Sequence, residues 1–339
     1  MTIKTAIFGA SGHVGGELLR LCAGHAEIMP VRLFADSQAG AALEDVHPHL
    51  ALAYPGARFE RYDESALDGI DLVFAALPHG QSQALAATIL GRGIAFVDLG
   101  ADFRLRDPKV YEQWYGEPHA APELLDRFVY GIPELHRDAI SGARAVAAAG
   151  CYPTATILAL KPLVDAGLVD PASIVVDATS GVSGAGKGLK ETTHFNTVSE
   201  SLSAYGLVSH RHTAEMEASL GAKVLFTPHL APMNRGILAT CYGIATGPMA
   251  ADAPLEALRA AYAQEPFVHV TDRPPATKWT LGSNAVQVTA RYDARTGRVL
   301  AISALDNLVK GAAGQMIQCA NLMLGFEEKQ GLSVCGVYP

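Results

Sequence analysis

Short apolar runs separated by glycine-, proline- or aspartate-rich turns organise the first hundred positions of this chain. Residues 5–8, 29–35, 71–77 and 94–99 read as strands, and residues 17–21, between the first two, have helical character. Strands alternating with helices are the pattern of βαβ units and a parallel sheet. Beyond residue 150 the pattern changes. An apolar segment from residue 151 to about 166 reads as a buried helix, and residues 174–178 and 237–245 read as strands. The expected architecture is α/β: a Rossmann-type dinucleotide-binding domain followed by an α+β domain with a mixed or largely antiparallel sheet.

Composition narrows the class. A chain of 339 residues exceeds the usual size of one hydrophobic core, so two domains are expected. Hydrophobic residues at 49% and charged residues at 18% fit a compact soluble enzyme. A net charge of −8 argues against a nucleic-acid or anionic-membrane surface. The five cysteines are scattered, which predicts neither a disulfide framework nor a zinc site, and no metal is expected. The opening residues lack a signal-peptide pattern and no apolar run reaches membrane-spanning length, so the expectation is a cytoplasmic protein.

The glycines at 9, 12 and 15 lie between the first strand and the first helix. There they allow a tight turn and close approach of a pyrophosphate to the helix N-terminus. Gly9, Ser11, Gly12, His13, Val14 and Gly15 are therefore candidate cofactor residues. The spacing is G-x-x-G-x-x-G, moderately specific by itself. Asp36, at the end of the second strand, suits the ribose hydroxyls of NAD, whereas Ser37 beside it suits the 2′-phosphate of NADP. Pro78, after the third strand, is expected along the cofactor. Arg104, after the fourth, is a candidate clamp for a substrate carboxylate or phosphate; a surface salt bridge is the competing reading, and His79 reads as structural or cofactor-adjacent rather than catalytic.

Cys151 follows Gly150 and precedes Pro153, a helix-start signature. Amides at a helix N-terminus favour a thiolate and can hold an oxyanion. A small core residue is the bland alternative. Residues 180–188, with Ser180, Ser183 and four glycines, resemble an anion nest. His210 and His212 flank Arg211, ahead of a helix expected to be capped by Thr213. Two positions apart, the histidines should not share one helical face. Either could partner the thiol, and His210 is the preferred acid/base. Arg211 and Arg235 are candidate substrate anchors, as is Ser180.

Taken together, these motifs resemble the N-acetyl-gamma-glutamyl-phosphate reductases, relatives of the aspartate-semialdehyde dehydrogenases. The resemblance spans nearly the whole chain. It rests on the glycine run 9–15, Asp-Leu-Gly-Ala-Asp-Phe-Arg at 98–104, Gly-Cys-Tyr-Pro-Thr at 150–154, the loop 180–186, His-Arg-His at 210–212 and Asp-Asn-Leu-Val-Lys-Gly-Ala-Ala-Gly at 306–314. One departure is Ala148-Ala149, where the family commonly has Asn-Pro. The resemblance implies a cofactor domain of residues 1–150 plus about 308–339, and a catalytic and dimerisation domain of residues 151–307. It also implies NADP, a thioester on Cys151, a catalytic histidine within 210–212, and a homodimer or homotetramer. Ser183, Gly184, Asn307 and Gly311 fall with the cofactor residues, and a terminal helix over 307–324 approaches the nicotinamide while packing as an amphipathic helix. The implied reaction is reduction of N-acetyl-glutamyl 5-phosphate; aspartyl phosphate or a carrier-bound aminoadipyl phosphate is the alternative substrate. A regulatory Rossmann protein without chemistry would need neither Cys151 nor His210.

Overall fold

The computed structural model describes residues 2–339 and divides into two compact units. The first comprises the described residues up to Ala149 together with Ala312–Leu332; the second comprises Gly150–Gly311 and Ser333–Pro339.

Six strands form the sheet of the first unit: β1 (Ile3–Phe8), β2 (Ile28–Phe34), β3 (Leu72–Ala75), β4 (Ala95–Asp98), β5 (Val129–Gly131) and β6 (Ala145–Ala148). Their order is β2-β1-β3-β4-β6-β5, with every pairing parallel. A parallel sheet is covered on both faces, and β3, β4 and β6 are accordingly buried at every position. The order reverses at β1, whose neighbours are β2 and β3. Such a switch point opens a crevice at the carboxyl ends of the strands.

The helix Gly314–Leu324 differs from the amphipathic helix expected. Residues Gly314 to Asn321 are all buried, polar ones included. Gln315 donates to Ala149 O at 3.4 Å, Gln318 to Glu328 Oε1 at 2.8 Å, and Asn321 to Gln330 O at 2.9 Å. The helix is a core element whose side-chain amide nitrogens all donate to protein acceptors. A π-helical turn, Val309–Ala313, precedes it.

The second unit carries β7 (Ile174–Gly181), β8 (Ser203–Ala204), β9 (Val224–Ala231), β10 (Ile237–Ile244), β11 (Val268–Val270), β12 (Val286–Asp293) and β13 (Arg298–Leu305). These form a mixed sheet in the order β11-β12-β13-β10-β7-β9-β8. The β7–β9 and β11–β12 pairs are parallel and the others antiparallel. Burial alternates along β10, so one face is packed and the other is partly open. The helices Cys151–Asp165, His212–Leu220 and Ala253–Ala261 cover the packed face. Hydrogen bonds tie them down: Ser303 Oγ donates to Ala155 O at 2.7 Å, and Tyr262 OH to Leu158 O at 2.7 Å. No helix among the described residues is long and apolar enough to cross a membrane.

Close packing at the first glycine turn makes Gly15 sensitive. An added Cβ would lie 2.3 Å from Gly9 O and 2.6 Å from Ala10 Cα. Gly15→Ala is expected to cost about 1–3 kcal/mol in urea unfolding; an unchanged midpoint would contradict this packing.

Candidate active site

Cys151 is the first residue of the helix Cys151–Asp165, with Gly150 as its N-cap. It is half-buried, whereas Cys22, Cys241 and Cys319 are buried. Burial pushes the Cys22 thiol up to about 12 and raises that of Cys241 as well. The start of this helix is held from outside it. Glu215, 3% exposed, accepts a hydrogen bond from Gly150 N at 3.0 Å. Thr154 N then donates to Gly150 O at 2.9 Å as the helical ladder begins, and Pro153 has no amide hydrogen to place. Gly311 approaches from another side: a Cβ there would sit 2.8 Å from Cys151 Cβ, so only glycine fits against the thiol residue.

His210 lies just before the helix His212–Leu220, whose N-cap is Arg211. The expected cap at Thr213 is therefore replaced: Thr213 is inside the first turn, and His210 Nδ1 accepts from His212 N at 3.2 Å. The imidazole does the capping, which places its hydrogen on Nε2 in the neutral ring. Because His210 precedes the helix, the two imidazoles are not separated by helical spacing as expected, and their centroids are 4.8 Å apart. Tyr152, Tyr205 and Phe226 pack edge-on around His210 at 5.7, 5.6 and 5.3 Å. This desolvation, with the charge of Arg211, lowers the His210 pKa to about 4. Tyr205 OH donates to Tyr152 OH at 3.1 Å, and Tyr152 OH to His229 O at 3.1 Å. Burial raises both phenols.

Residues 180–183 are paired to the sheet rather than lying open as a loop, so the expected anion nest has fewer amides to offer. β7 runs on to Gly181, and a 3-10 turn, Val182–Ala185, follows. The amides of Gly181, Val182 and Ser183 donate to Gly236 O, Met233 O and Asn234 O, and Gly186 N donates to Ser183 O. Pairing with residues 233–236 thus takes the first three of these amides, and the fourth bonds within the loop. Ser180 is 1% exposed, and its hydroxyl donates to Gly181 O at 3.0 Å. Ser183 and Asn307 do meet: Asn307 Nδ2 donates to Ser183 Oγ at 2.9 Å, while Asn307 Oδ1 accepts from Gly236 N at 2.7 Å. Gly184 stands beside them, where a Cβ would lie 2.9 Å from Ser180 Oγ. Arg235 is 3.7 Å from the buried carboxylate of Asp306, and Arg211 is exposed.

In the first unit, the candidate cofactor residues collect at the carboxyl ends of adjacent strands. Gly9 to Gly15 follow β1, Ser37 follows β2, and Pro78 follows β3. Gly9 has φ +73°, and a Cβ would fall 2.3 Å from Ala76 O. Gly12 N donates to Gly9 O at 3.0 Å, closing the turn. A Cβ at Gly12 would meet only Gly9 O, at 3.3 Å, so the outer side of the turn has room for a pyrophosphate. Ser11 and Val14 are half-buried and His13 is exposed at the start of the helix His13–Cys22. Asp36 and Ser37 are both exposed in the turn after β2. Arg104 is half-buried and donates to Leu99 O at 2.6 Å. Sequence reasoning missed Glu215, Tyr152, Tyr205 and Phe226. Of these, only Tyr152 carried a local signal, its place next to Cys151.

A glycine turn at the switch point of a parallel sheet, with a helix-start thiol on a separate mixed-sheet unit, is the architecture of a dinucleotide-dependent dehydrogenase. Known proteins agree. "Semialdehyde dehydrogenase, NAD binding domain" matches residues 4–143, and "Semialdehyde dehydrogenase, dimerisation domain" matches residues 151–307. N-acetyl-gamma-glutamyl-phosphate reductases from Symbiobacterium thermophilum and Desulforudis audaxviator are 48% and 47% identical, covering 100% and 99% of this chain and 100% of their own. Among solved structures, aspartate semialdehyde dehydrogenase II of Vibrio cholerae, complexed with ASA, has a TM-score of 0.70 at 18% identity, covering 96% of this chain and 99% of its own. The Candida albicans aspartate semialdehyde dehydrogenase with NADP has a TM-score of 0.65 at 16% identity over 96% of this chain and 99% of its own. The chain belongs to the semialdehyde dehydrogenase family, in its N-acetyl-gamma-glutamyl-phosphate reductase branch.

The His210 environment sets the pH behaviour. A histidine whose pKa falls from 6.5 to about 4 stays neutral through the usual assay range. The unfolded chain binds more protons than the folded one between these values, so stability present above pH 6.5 is lost as pH falls towards 4. Urea unfolding of His210→Asn should lack this acid loss. Relative to wild type, the variant should therefore gain stability as pH falls from 6.5 to 4, and an equal pH dependence in the two proteins would contradict it.

Proposed function

We propose that this protein reduces N-acetyl-glutamyl 5-phosphate to N-acetyl-glutamate 5-semialdehyde and phosphate with NADPH, through a thioester on Cys151. The observation that carries the reading is the placement of Cys151 at a helix start whose preceding amide is held by Glu215. The full-length match to N-acetyl-gamma-glutamyl-phosphate reductases supports this substrate over aspartyl phosphate or an aminoadipyl phosphate.

Cys151 thiolate attacks the acyl carbon, and the carbon–oxygen bond to phosphate breaks, releasing phosphate and leaving the thioester. NADPH, when bound, supplies the hydride that reduces this thioester. The resulting thiohemiacetal alkoxide collapses, re-forming the aldehyde carbonyl and returning the electron pair to Cys151 sulfur. The amides of Cys151 and Tyr152 stabilise the oxyanion, since Gly150 N is engaged by Glu215 and Pro153 has no amide hydrogen. His210, with its hydrogen on Nε2, donates to the same oxygen and serves as the acid/base of the site. Arg104, Arg211 and Arg235 hold the substrate carboxylate and phosphate, with Ser180 behind them.

The glycine turn, with Ser11, His13 and Val14, receives the pyrophosphate, and Pro78 flanks the nicotinamide ribose. Ser183, Gly184, Asn307 and Gly311 complete the nicotinamide side. Ser37 donates to the 2′-phosphate. Arg58 donates to Gly40 O at 2.6 Å and so adds a cation against the turn that follows Ser37.

Replacing Cys151 by Ser should remove phosphate-dependent oxidation of N-acetyl-glutamate semialdehyde while leaving NADP binding in place. Near wild-type turnover in that variant would end the thioester scheme.

The partly open face of the mixed sheet supports a homodimer as the functional unit. Leu225 and Ile244 are 55% and 45% exposed there, with Leu238, Tyr242, Leu300 and Ile302 half-buried around them. Leu225→Glu combined with Ile302→Glu should lower the sedimentation mass by half or more; an unchanged mass would place the interface elsewhere.

A further inference from the structure

Two buried carboxyl groups of the first unit take no part in this chemistry. Asp98 ends β4 and Asp102 follows it in the next turn; both, and Ser82 between them, are 0% exposed. Ser82 Oγ lies 2.9 Å from Asp98 Oδ2 and 2.7 Å from Asp102 Oδ2. A hydroxyl has one proton and donates to one of them. The second contact is a hydrogen bond only when the other carboxyl is protonated and donates to Oγ.

The remaining contacts say which. Asp102 Oδ1 accepts from Gly80 N at 2.6 Å and Tyr111 OH at 3.2 Å, and its Oδ2 accepts from Ser82 N at 3.1 Å. That set of donors demands an anion. Asp98 accepts from Gly100 N through Oδ1, at 2.9 Å, which leaves Oδ2 to carry a proton. We propose that Asp98 is a neutral positioning residue, donating Oδ2–H to Ser82 Oγ while Ser82 donates to the Asp102 carboxylate. The single proton of this chain holds the turn at Gly80, after β3, to the turn at Gly100, after β4, at the edge of the cofactor crevice.

The surroundings fit a neutral Asp98. Burial and the neighbouring charge of Asp102 push its pKa up to about 7, against the opposing pull of Gly100 N, Ser82 and the Arg104 guanidinium. Tyr111 faces Asp102, with Glu117 and Tyr115 beyond it, and His119 Nε2 lies 2.8 Å from Asp102 O. β3, β6 and the helix Ser82–Gly91 carry no ionisable side chain, and the helix Gly314–Leu324 carries only Cys319. Gly100 has no Cβ because one would stand 2.9 Å from Ser82 Oγ and 3.0 Å from Asp98 Oδ1.

The sign follows from proton linkage. Folded Asp98 keeps a proton that the unfolded chain releases near the ordinary carboxyl value of 3.8, so stability falls as pH rises from there to about 7. Above that, two charges share one hydroxyl and the Gly80 turn loosens.

The test compares wild type with D98N, D102N and S82A by thermal unfolding without cofactor from pH 4 to 9, where wild type should lose stability relative to D98N as pH rises to about 7, and by titration with NADP and difference infrared spectroscopy from pH 6 to 9. Wild type should show a protonated-carboxyl band at pH 6 that vanishes near pH 7 and is missing in D98N. Its NADP affinity should fall about tenfold by pH 9, whereas D98N, whose amide also donates to Ser82, holds its pH 6 value throughout. D102N and S82A should lose affinity at every pH. A wild type without that band at pH 6, or a D98N as impaired at pH 6 as S82A, overturns the proposal. The infrared and unfolding readings need neither cofactor nor substrate, so they separate failure here from failure of the proposed reaction.

Discussion

The hydrogen bond from Gly150 N to the Glu215 carboxylate is the contact on which the thiol site depends. A helix begins with amides that have no carbonyl to bond, and the chain must decide which face outward. Here a buried carboxylate takes the amide just before Cys151, and Pro153 removes another. Glu215 lies on the helix that His210 caps, so one element fixes both the thiol and the imidazole. Gly311 closes the opposite side by offering no Cβ. A small shift of that single helix would move both the thiol and the imidazole.

Order in the first unit follows from burial. A parallel sheet covered on both faces puts its polar business at the strand ends, because the strands themselves have no polar surface to spare. The turns after β1, β3 and β4 therefore carry the glycines and carboxylates, and each is tied to a neighbour. Gly9 fits against Ala76 O, Gly80 N reaches Asp102, and Gly100 N reaches Asp98. The same logic explains the terminal helix: enclosed on all sides, its glutamines and asparagine must find partners inside.

Much of this was legible in the sequence where the signal was local. The apolar runs gave β1 to β4, the glycine spacing gave the first turn, and Gly-Cys-Tyr-Pro gave the helix start. What was not legible depended on distant partners. Nothing in the run 180–188 reveals that the amides of Gly181, Val182 and Ser183 are spent on residues 233–236. Glu215 is 65 positions from the amide it holds. The histidines were misjudged because the spacing rule applies within a helix, and His210 stands before one. An amphipathic helix was expected over 307–324, because polarity in a sequence does not say whether the partner is water or protein.

Keeping the imidazole neutral has a chemical logic. The thiol end needs a field that favours an anion, and a protonated histidine would supply one only below its pKa. The aromatic cage of Tyr152, Tyr205 and Phe226 makes that protonation costly. Amides at the helix start provide the field instead, and peptide dipoles do not titrate. His210 is then left to act through a directed hydrogen bond from Nε2 whose availability is constant across the neutral pH range. In the proposed reaction this divides the labour at Cys151, with charge stabilised by the backbone and direction supplied by the side chain.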